Sequence, residues 1–119
     1  MKKACRKYIL IAVLATLFSA PLLADLEAGL TAYAQGNHAE AFKQYQLAAN
    51  SGNPDAFGKL GGMYLYGLGT EKNYPDAYYW FGMAQQSGDK YAEKFKLTAS
   101  SMMSMEQVKQ VEERLAADK

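Results

Sequence analysis

The sequence predicts an all-α protein, a superhelix (solenoid) of stacked antiparallel helix hairpins closed by a C-terminal capping helix. Apolar residues recur at spacings of three and four along most of the chain, which is the period of a helix with one apolar face. The chain also resembles itself at an offset of 36 residues. No segment competes as a strand. Self-similarity at such a period is typical of helical solenoids, in which each unit buries its apolar face against the next one.

The offset of 36 residues brings identical small residues into register. The identical pairs are Ala41 with Ala77, Ala48 with Ala84, Ser51 with Ser87, Gly52 with Gly88, and Ala56 with Ala92. Small residues at these places let neighbouring helix backbones approach each other closely. The sequence therefore predicts a partial repeat over residues 25–52, a full repeat over 53–92 and C-terminal helices over 93–119.

Residues 1–24 have the pattern of a secretory signal peptide. Four basic residues precede an apolar run from Tyr8 to Phe18, and a short segment that ends at Ala24 follows it. The run of 11 residues is shorter than the ~20 that a membrane-spanning helix needs. We expect cleavage after Ala24 and a location in the periplasm or outside the cell. A leader that is kept would instead anchor the protein in the membrane.

Charge and cysteine content exclude two classes of function. The leader holds four of the 13 basic residues and none of the 12 acidic ones, so the remainder carries a formal charge of −3. An acidic chain without a basic patch is a poor candidate for binding nucleic acid. Cys5, the single cysteine, lies in the leader, so the mature chain has no thiolate with which to bind zinc.

Helix boundaries can be predicted in chain order. A first helix covers Asp25 to Gln35 and is closed by Gly36, and a second covers Ala39 to Asn50.

The central hairpin has proline at each helix start and glycine at each end. Its first helix begins at Pro54 behind Asn53 and stops at Gly67, and its second begins at Pro75 and stops at Gly88.

Two helices follow the central hairpin. The first should cover Lys90 to Ser101. The last should begin at Ser104, with Gln107 completing a capping box.

The central hairpin resembles the Sel-one-like repeat, a relative of the tetratricopeptide repeat. The residues that carry the resemblance are Ala56, Leu60, Gly61, Tyr64, Gly67 and Gly69, followed by Ala77, Phe81, Ala84, Gly88 and Ala92. Thr70 departs from the small aliphatic residue that is common after the last loop glycine. The segment Met103–Gln107 resembles the short helix that closes many such arrays. The resemblance implies an interaction scaffold that binds a protein or peptide partner.

No catalytic constellation can be assembled from the sequence, so we expect no enzyme, no cofactor and no metal. His38, the single histidine, is predicted to lie in an exposed loop, without a nucleophile or carboxylates gathered around it. Gly67 and Gly69 are not followed by the Lys-Ser/Thr of a phosphate-binding loop. Gly61 and Gly62 are interpreted as sites of close helix packing.

The aromatic residues around the repeat loop are the candidate partner-binding residues. Tyr79 is rotated by about 200° from Phe81 around the helix, so we expect it to face away from the packed side. Tyr66, Tyr79 and Trp80 are therefore predicted to bind the partner, with packing between helices as the alternative for the last two. The protein would be a scaffold in the cell envelope. The alternative function is binding of cell-wall glycan, or a role as accessory subunit of an envelope enzyme.

Overall fold

The computed structural model describes residues 25–119, and within this range all regular structure is helical. A short 3-10 turn (Pro54–Ala56) leads into the third helix. The helices are α1 (25–34), α2 (His38–Asn50), α3 (Phe57–Tyr66), α4 (Tyr74–Gln86), α5 (Ala92–Ser100) and α6 (Met105–Ala117). The predicted all-α class is thus confirmed for this part of the chain. The predicted leader and its cleavage after Ala24 lie outside the described residues.

Short polar side chains cap the start of α2, α4, α6 and the 3-10 turn, because they accept hydrogen bonds from N–H groups that have no partner within the helix. The bonds run from Glu40 N–H to Asn37 Oδ1 (3.3 Å), from Asp55 N–H to Asn53 Oδ1 (3.1 Å) and from Asp76 N–H to Asn73 Oδ1 (3.0 Å). Ser104 and Gln107 form the predicted capping box at the start of α6.

The turns that end α2 and α4 have the same geometry, 36 residues apart. Gly52 and Gly88 have φ values of +88° and +98°, a backbone conformation that glycine adopts without strain. Asn53 N–H donates to the carbonyl of Ala48 at 3.0 Å, and Asp89 N–H donates to that of Ala84 at 3.0 Å. The repeat seen in the sequence is therefore also a repeat of local structure.

The matched alanines of the repeat occupy equivalent positions in the core. Ala41, Ala48 and Ala56, and their counterparts Ala77, Ala84 and Ala92, are each at most 1% exposed. Their small side chains lie where helices meet, as the spacing predicted.

The core consists of two clusters of buried side chains. One is centred on α2 and α3 and includes Leu60 and Met63, and the other joins α4, α5 and α6. Tyr64, Trp80 and Met83 contact both clusters. These three side chains make the two halves of the protein one packed unit.

Three predicted helix starts need correction. Residues 54–56 form a 3-10 turn, so the α-helix predicted from Pro54 begins at Phe57. The fifth helix begins at Ala92 and not at Lys90, because Asp89 Oδ1 accepts the N–H of Tyr91 at 2.9 Å and holds a turn there. His38 is the first residue of α2 and not part of a loop.

Within residues 25–119 no helix has the length and apolar character to cross a bilayer.

Candidate partner-binding surface on helix α3

The side of α3 that faces solvent carries a row of residues at helical spacing. Lys59 and Tyr66 are exposed, as is Asp55 in the 3-10 turn just before the helix, while Gly58 and Gly62 are partly buried. The opposite side of the helix is packed into the core. Because glycine has no side chain, the surface of α3 is depressed at positions 58 and 62, and the neighbouring side chains project beyond it.

An apolar groove of about 330 Å³ lies between α1 and α3. We call it the apolar groove. It is lined by Leu30, Tyr33, Tyr45, Gly58, Lys59, Gly62, Met63, Tyr66 and Leu68. No carboxylate is among its lining residues, and Lys59 carries its single charge.

A second groove, of about 560 Å³, lies on the other side of α3, towards the start of α5. We call it the polar groove. It is lined by Pro54, Asp55, Gly58, Lys59, Phe81, Ala84, Ser87, Gly88, Asp89, Tyr91 and Phe95. Two carboxylates and one ammonium group thus face this space, above a floor that includes Phe81.

The two grooves meet on α3, because Gly58 and Lys59 line both of them. The ion pairs in the described part of the chain join Lys96 to Glu112 and Arg114 to Asp76. The charges of Lys59, Asp55 and Asp89 are therefore not neutralised by ion pairs among residues 25–119. Together the grooves form one surface with unpaired charge at its centre and at one end.

Tyr66 lies where a partner could contact it. Its side chain is 56% exposed and forms part of the wall of the apolar groove. Whether it binds a partner stays a prediction, but its accessibility agrees with that role.

Tyr79 is buried, and the expectation that it faces solvent is wrong. It is 6% exposed, and its hydroxyl donates a hydrogen bond to Asp118 Oδ2 at 2.5 Å. The guanidinium of Arg114 lies 3.6 Å from the centre of its ring. Burial, and then the hydrogen bond to Asp118, raise the pKa of Tyr79. Helix α6 covers the side of α4 that was expected from the periodicity to face solvent. Tyr79 therefore contributes to the packing of α6 against α4.

Trp80 contributes to packing between helices. It is partly buried, and its ring centre lies 5.6 Å from that of Phe57 and 5.0 Å from that of Tyr79. The tryptophan contacts both core clusters. The exposed Tyr-Trp pair expected from the sequence is therefore not present, and the alternative of packing between helices is the one observed.

A second tyrosine attaches α6 to α4. The Tyr78 hydroxyl donates to Glu112, which also forms an ion pair with Lys96 at 3.0 Å. Burial and the bond to Glu112 raise the pKa of Tyr78 well above its ordinary value. The hydrogen bonds from Tyr78 and Lys96 lower the pKa of Glu112. These groups connect α4, α5 and α6.

His38 is half-buried, and its predicted exposure is also wrong. Its ring packs edge-on against Tyr33, with ring centres 5.2 Å apart, and its Nδ1 has no hydrogen-bond partner among residues 25–119. The same residues contain no group of three or more His, Cys, Asp or Glu placed to hold a metal ion.

The two glycines Gly61 and Gly62 differ in role. A Cβ atom on Gly61 would lie 3.1 Å from the ring of Phe81, so glycine at this position lets α3 and α4 pack closely, as predicted. A Cβ on Gly62 would have no heavy atom within 4 Å. The prediction is wrong for Gly62, which faces the apolar groove.

Several residues of this surface were missed from the sequence. Asp55, Lys59, Asp89 and Tyr91 line the polar groove, but each occurs singly and without a motif. The feature of the sequence that indicates this surface is the four-residue spacing from Gly58 to Gly62 between charged and aromatic neighbours. That spacing places two gaps in the side-chain cover on the same side of a helix.

Comparison with known proteins adds no relative: no protein-family model, no curated protein and no solved structure matches this chain.

Proposed function

We propose that this protein is a non-catalytic interaction module that binds a protein or peptide partner on the exposed side of α3. The observation that carries the proposal is the pair of grooves that meet at Gly58 and Lys59. Exposed aromatic rings border both grooves: Tyr66 the apolar one and Tyr91, at 75% exposure, the polar one. Aromatic residues are common anchors in protein interfaces, where they bury much apolar area against the partner.

The proposal includes a solenoid arrangement of the Sel-one-like type for the helix hairpins. Its support is the 36-residue offset, the repeated turn at Gly52 and Gly88, and the buried alanines that recur with it. In such an arrangement the first helices of successive hairpins stand side by side and form one continuous surface. Helices α1 and α3, which border the apolar groove, would have this relationship.

The proposal also places the protein in the cell envelope. Its support is the charge and apolar pattern of residues 1–24. Intact-mass measurement of protein recovered from a secreting host tests this part, and we expect a mature N-terminus at Asp25. A mass that still includes Met1 to Ala24 would contradict a soluble location and support a membrane anchor.

The binding function is tested by comparing two variants in affinity capture from the envelope fraction of the producing organism. Tyr66→Ala removes an aromatic wall of the apolar groove. Leu97→Ala removes an apolar side chain of similar exposure that lines neither groove. A true interface anchor costs about 2 kcal/mol or more when truncated, which corresponds to roughly thirtyfold in affinity. We expect Tyr66→Ala to lose the protein that the unaltered chain captures and Leu97→Ala to retain it.

Equal capture by both variants would contradict a binding role for this surface. Thermal melts of both proteins belong to the experiment, because each side chain is exposed and its loss should change stability little. The glycan alternative makes a separate prediction. If purified peptidoglycan depletes the protein from solution, and Tyr66→Ala abolishes the depletion while no protein is captured, the surface binds glycan.

A further inference from the structure

The two grooves of the α3 surface differ in their chemistry. The apolar groove has leucine, methionine and tyrosine side chains in its walls and no carboxylate. The polar groove has two carboxylates, from Asp55 and Asp89. A single ligand that fills both must therefore have two unlike parts.

The carboxylates of the polar groove are available to a ligand. The Asp55 side chain has no ion pair among the described residues, and its backbone N–H is bonded to Asn53. Asp89 uses Oδ1 for the N–H of Tyr91, whereas its Oδ2 faces α3, where it would lie 3.3 Å from a Cβ on Gly58. Oδ2 is thus an acceptor that points across the groove.

An exposed aromatic ring stands beside these carboxylates. Tyr91 is 75% exposed and lines the polar groove together with Asp89. The face of a tyrosine ring attracts an ammonium or guanidinium group, by about 0.5–1 kcal/mol at an exposed site. Carboxylates and an open ring together favour a cation over a neutral or anionic group.

The charge of Lys59 determines which end of the surface the cationic part of such a ligand can occupy. It carries a positive charge at the junction of the two grooves. A ligand cation placed at the junction would be repelled, while one placed near Asp89 and Tyr91 would be attracted. The cationic part of the ligand therefore belongs at the far end of the polar groove, away from the apolar groove.

We propose that the partner of this surface is a peptide segment in which a lysine or arginine lies a few residues from a large apolar side chain. The basic residue enters the polar groove beside Asp55, Asp89 and Tyr91, and the apolar residue enters the other groove beside Tyr66. This inference rests on the proposed binding function and adds the chemistry of the partner. Asp55 lies in the 3-10 turn that leads into α3. The rise per residue is about 2 Å in a 3-10 turn and about 1.5 Å in an α-helix, so Asp55 and Tyr66 are about 17 Å apart along the axis, which is the reach of about five residues of extended chain.

The experiment begins with selection of random 12-residue peptides displayed on phage, using protein purified after expression of the full chain. We expect the enriched peptides to carry a net positive charge, with lysine or arginine about three to six residues from leucine, phenylalanine or another large apolar residue. The dissociation constant of an enriched peptide is then measured by fluorescence anisotropy at low and high NaCl concentration.

Two double variants separate the charge of the groove from charge in general. Asp55→Asn with Asp89→Asn removes both groove carboxylates and keeps side chains that still accept hydrogen bonds. Glu71→Gln with Glu113→Gln removes two exposed carboxylates outside the grooves. We expect the first pair to weaken binding at least tenfold and to reduce its salt dependence, since salt screens exposed charges. The second pair should change the dissociation constant less than threefold.

The outcomes distinguish this inference from the function on which it rests. Peptides that bind, and that Tyr66→Ala weakens, but that are acidic or uncharged, would overturn the inference and leave the binding function standing. Basic peptides that bind the Asp55→Asn, Asp89→Asn protein unchanged would do the same. Failure to enrich any peptide, or binding that neither Tyr66→Ala nor the groove variants affect, would overturn both. If the double variant melts at a lower temperature than the unaltered protein, the dissociation constant of the peptide is measured instead with Asp55→Asn alone and with Tyr91→Leu.

Discussion

Gly69 lies directly on the backbone of His38, so close that a Cβ atom at position 69 would be 2.1 Å from the His38 carbonyl oxygen and 2.5 Å from the carbonyl carbon. The loop between α3 and α4 therefore touches the first residue of α2. Because both groups belong to the backbone, neither can turn aside as a side-chain end could. Gly69 also has a φ of +72°, which disfavours any residue with a side chain.

Replacement of Gly69 by alanine should be strongly destabilising. Left-handed backbone costs alanine about 1–2 kcal/mol, and displacement of the loop from α2 adds a cost of about the size of overpacking, roughly 1–3 kcal/mol. Gly36→Ala is the matched control, since Gly36 has a φ of +75° and no heavy atom within 4 Å of the added Cβ. Urea unfolding should show Gly69→Ala as less stable than Gly36→Ala; equal values would contradict the close contact.

The buried alanines of the repeat should not tolerate a large side chain. Ala84 is 1% exposed, and leucine there would overpack the space between helices at a cost of about 1–3 kcal/mol. Ala48→Leu should behave alike, because the two positions are equivalent. The same change at exposed Lys43 should be nearly silent in a thermal melt. A harmless Ala84→Leu would mean that the repeat alignment is wrong.

Substitution of Trp80 should lower the stability of the protein, whereas substitution of Tyr66 should affect binding and leave stability nearly unchanged. Trp80→Ala removes a side chain that contacts both core clusters, so we expect a loss of about 2–4 kcal/mol in the free energy of unfolding. Tyr66→Ala should change stability by less than about 0.5 kcal/mol, because the ring is mostly exposed. Denaturant titration of both variants checks this. A large fall for Tyr66→Ala would place that ring in the core and weaken its claim to a binding role.

The network around Glu112 predicts a loss of stability in acid. The pKa of Glu112 is lowered from 4.5 in the folded protein, mainly by hydrogen bonds from Tyr78 and Lys96. Its contribution to stability is therefore complete above about pH 4.5 and is lost as the pH falls through the lower folded pKa. Thermal melts between pH 7 and pH 3 should show a smaller decline for Glu112→Gln than for the unaltered chain.

The neighbouring variant Glu113→Gln controls for the loss of one negative charge near the C-terminal helix. Glu113 is exposed, and its side chain has no hydrogen bond or ion pair within residues 25–119. Its melting temperature should decline with acid in parallel with that of the unaltered protein. A decline for Glu112→Gln that is equally steep would contradict the stabilising role of the network.

Helix boundaries were largely predictable because they depend on neighbours in sequence. Gly67 ends α3 in a left-handed conformation, and Ser104 with Gln107 begins α6, both as expected. Each of these features involves residues at most four positions apart, so local sequence contains the whole cause. The start of α5 was misplaced by two residues, since Asp89 forms a turn before the helix instead of capping it.

The candidate surface was less predictable because it depends on which helices meet. Tyr79 was expected to face solvent from its position relative to Phe81, and that angular argument is correct as far as α4 alone is concerned. Its burial results from α6 and from Asp118, the residue that follows α6 and lies 39 positions after Tyr79 in the chain. Periodicity shows that a side of a helix is apolar or polar, but it does not show which distant helix covers it.

Helix α3 carries the proposed binding surface and has three glycines among its ten residues. Each glycine in a helix interior costs about 1 kcal/mol relative to alanine, so this segment has little tendency to be helical alone. Its helical form depends on the contacts that α2 and α4 provide. The grooves therefore come into existence only with the folding of their neighbours, and a synthetic fragment of residues 54–66 should remain unstructured and fail to reproduce the surface.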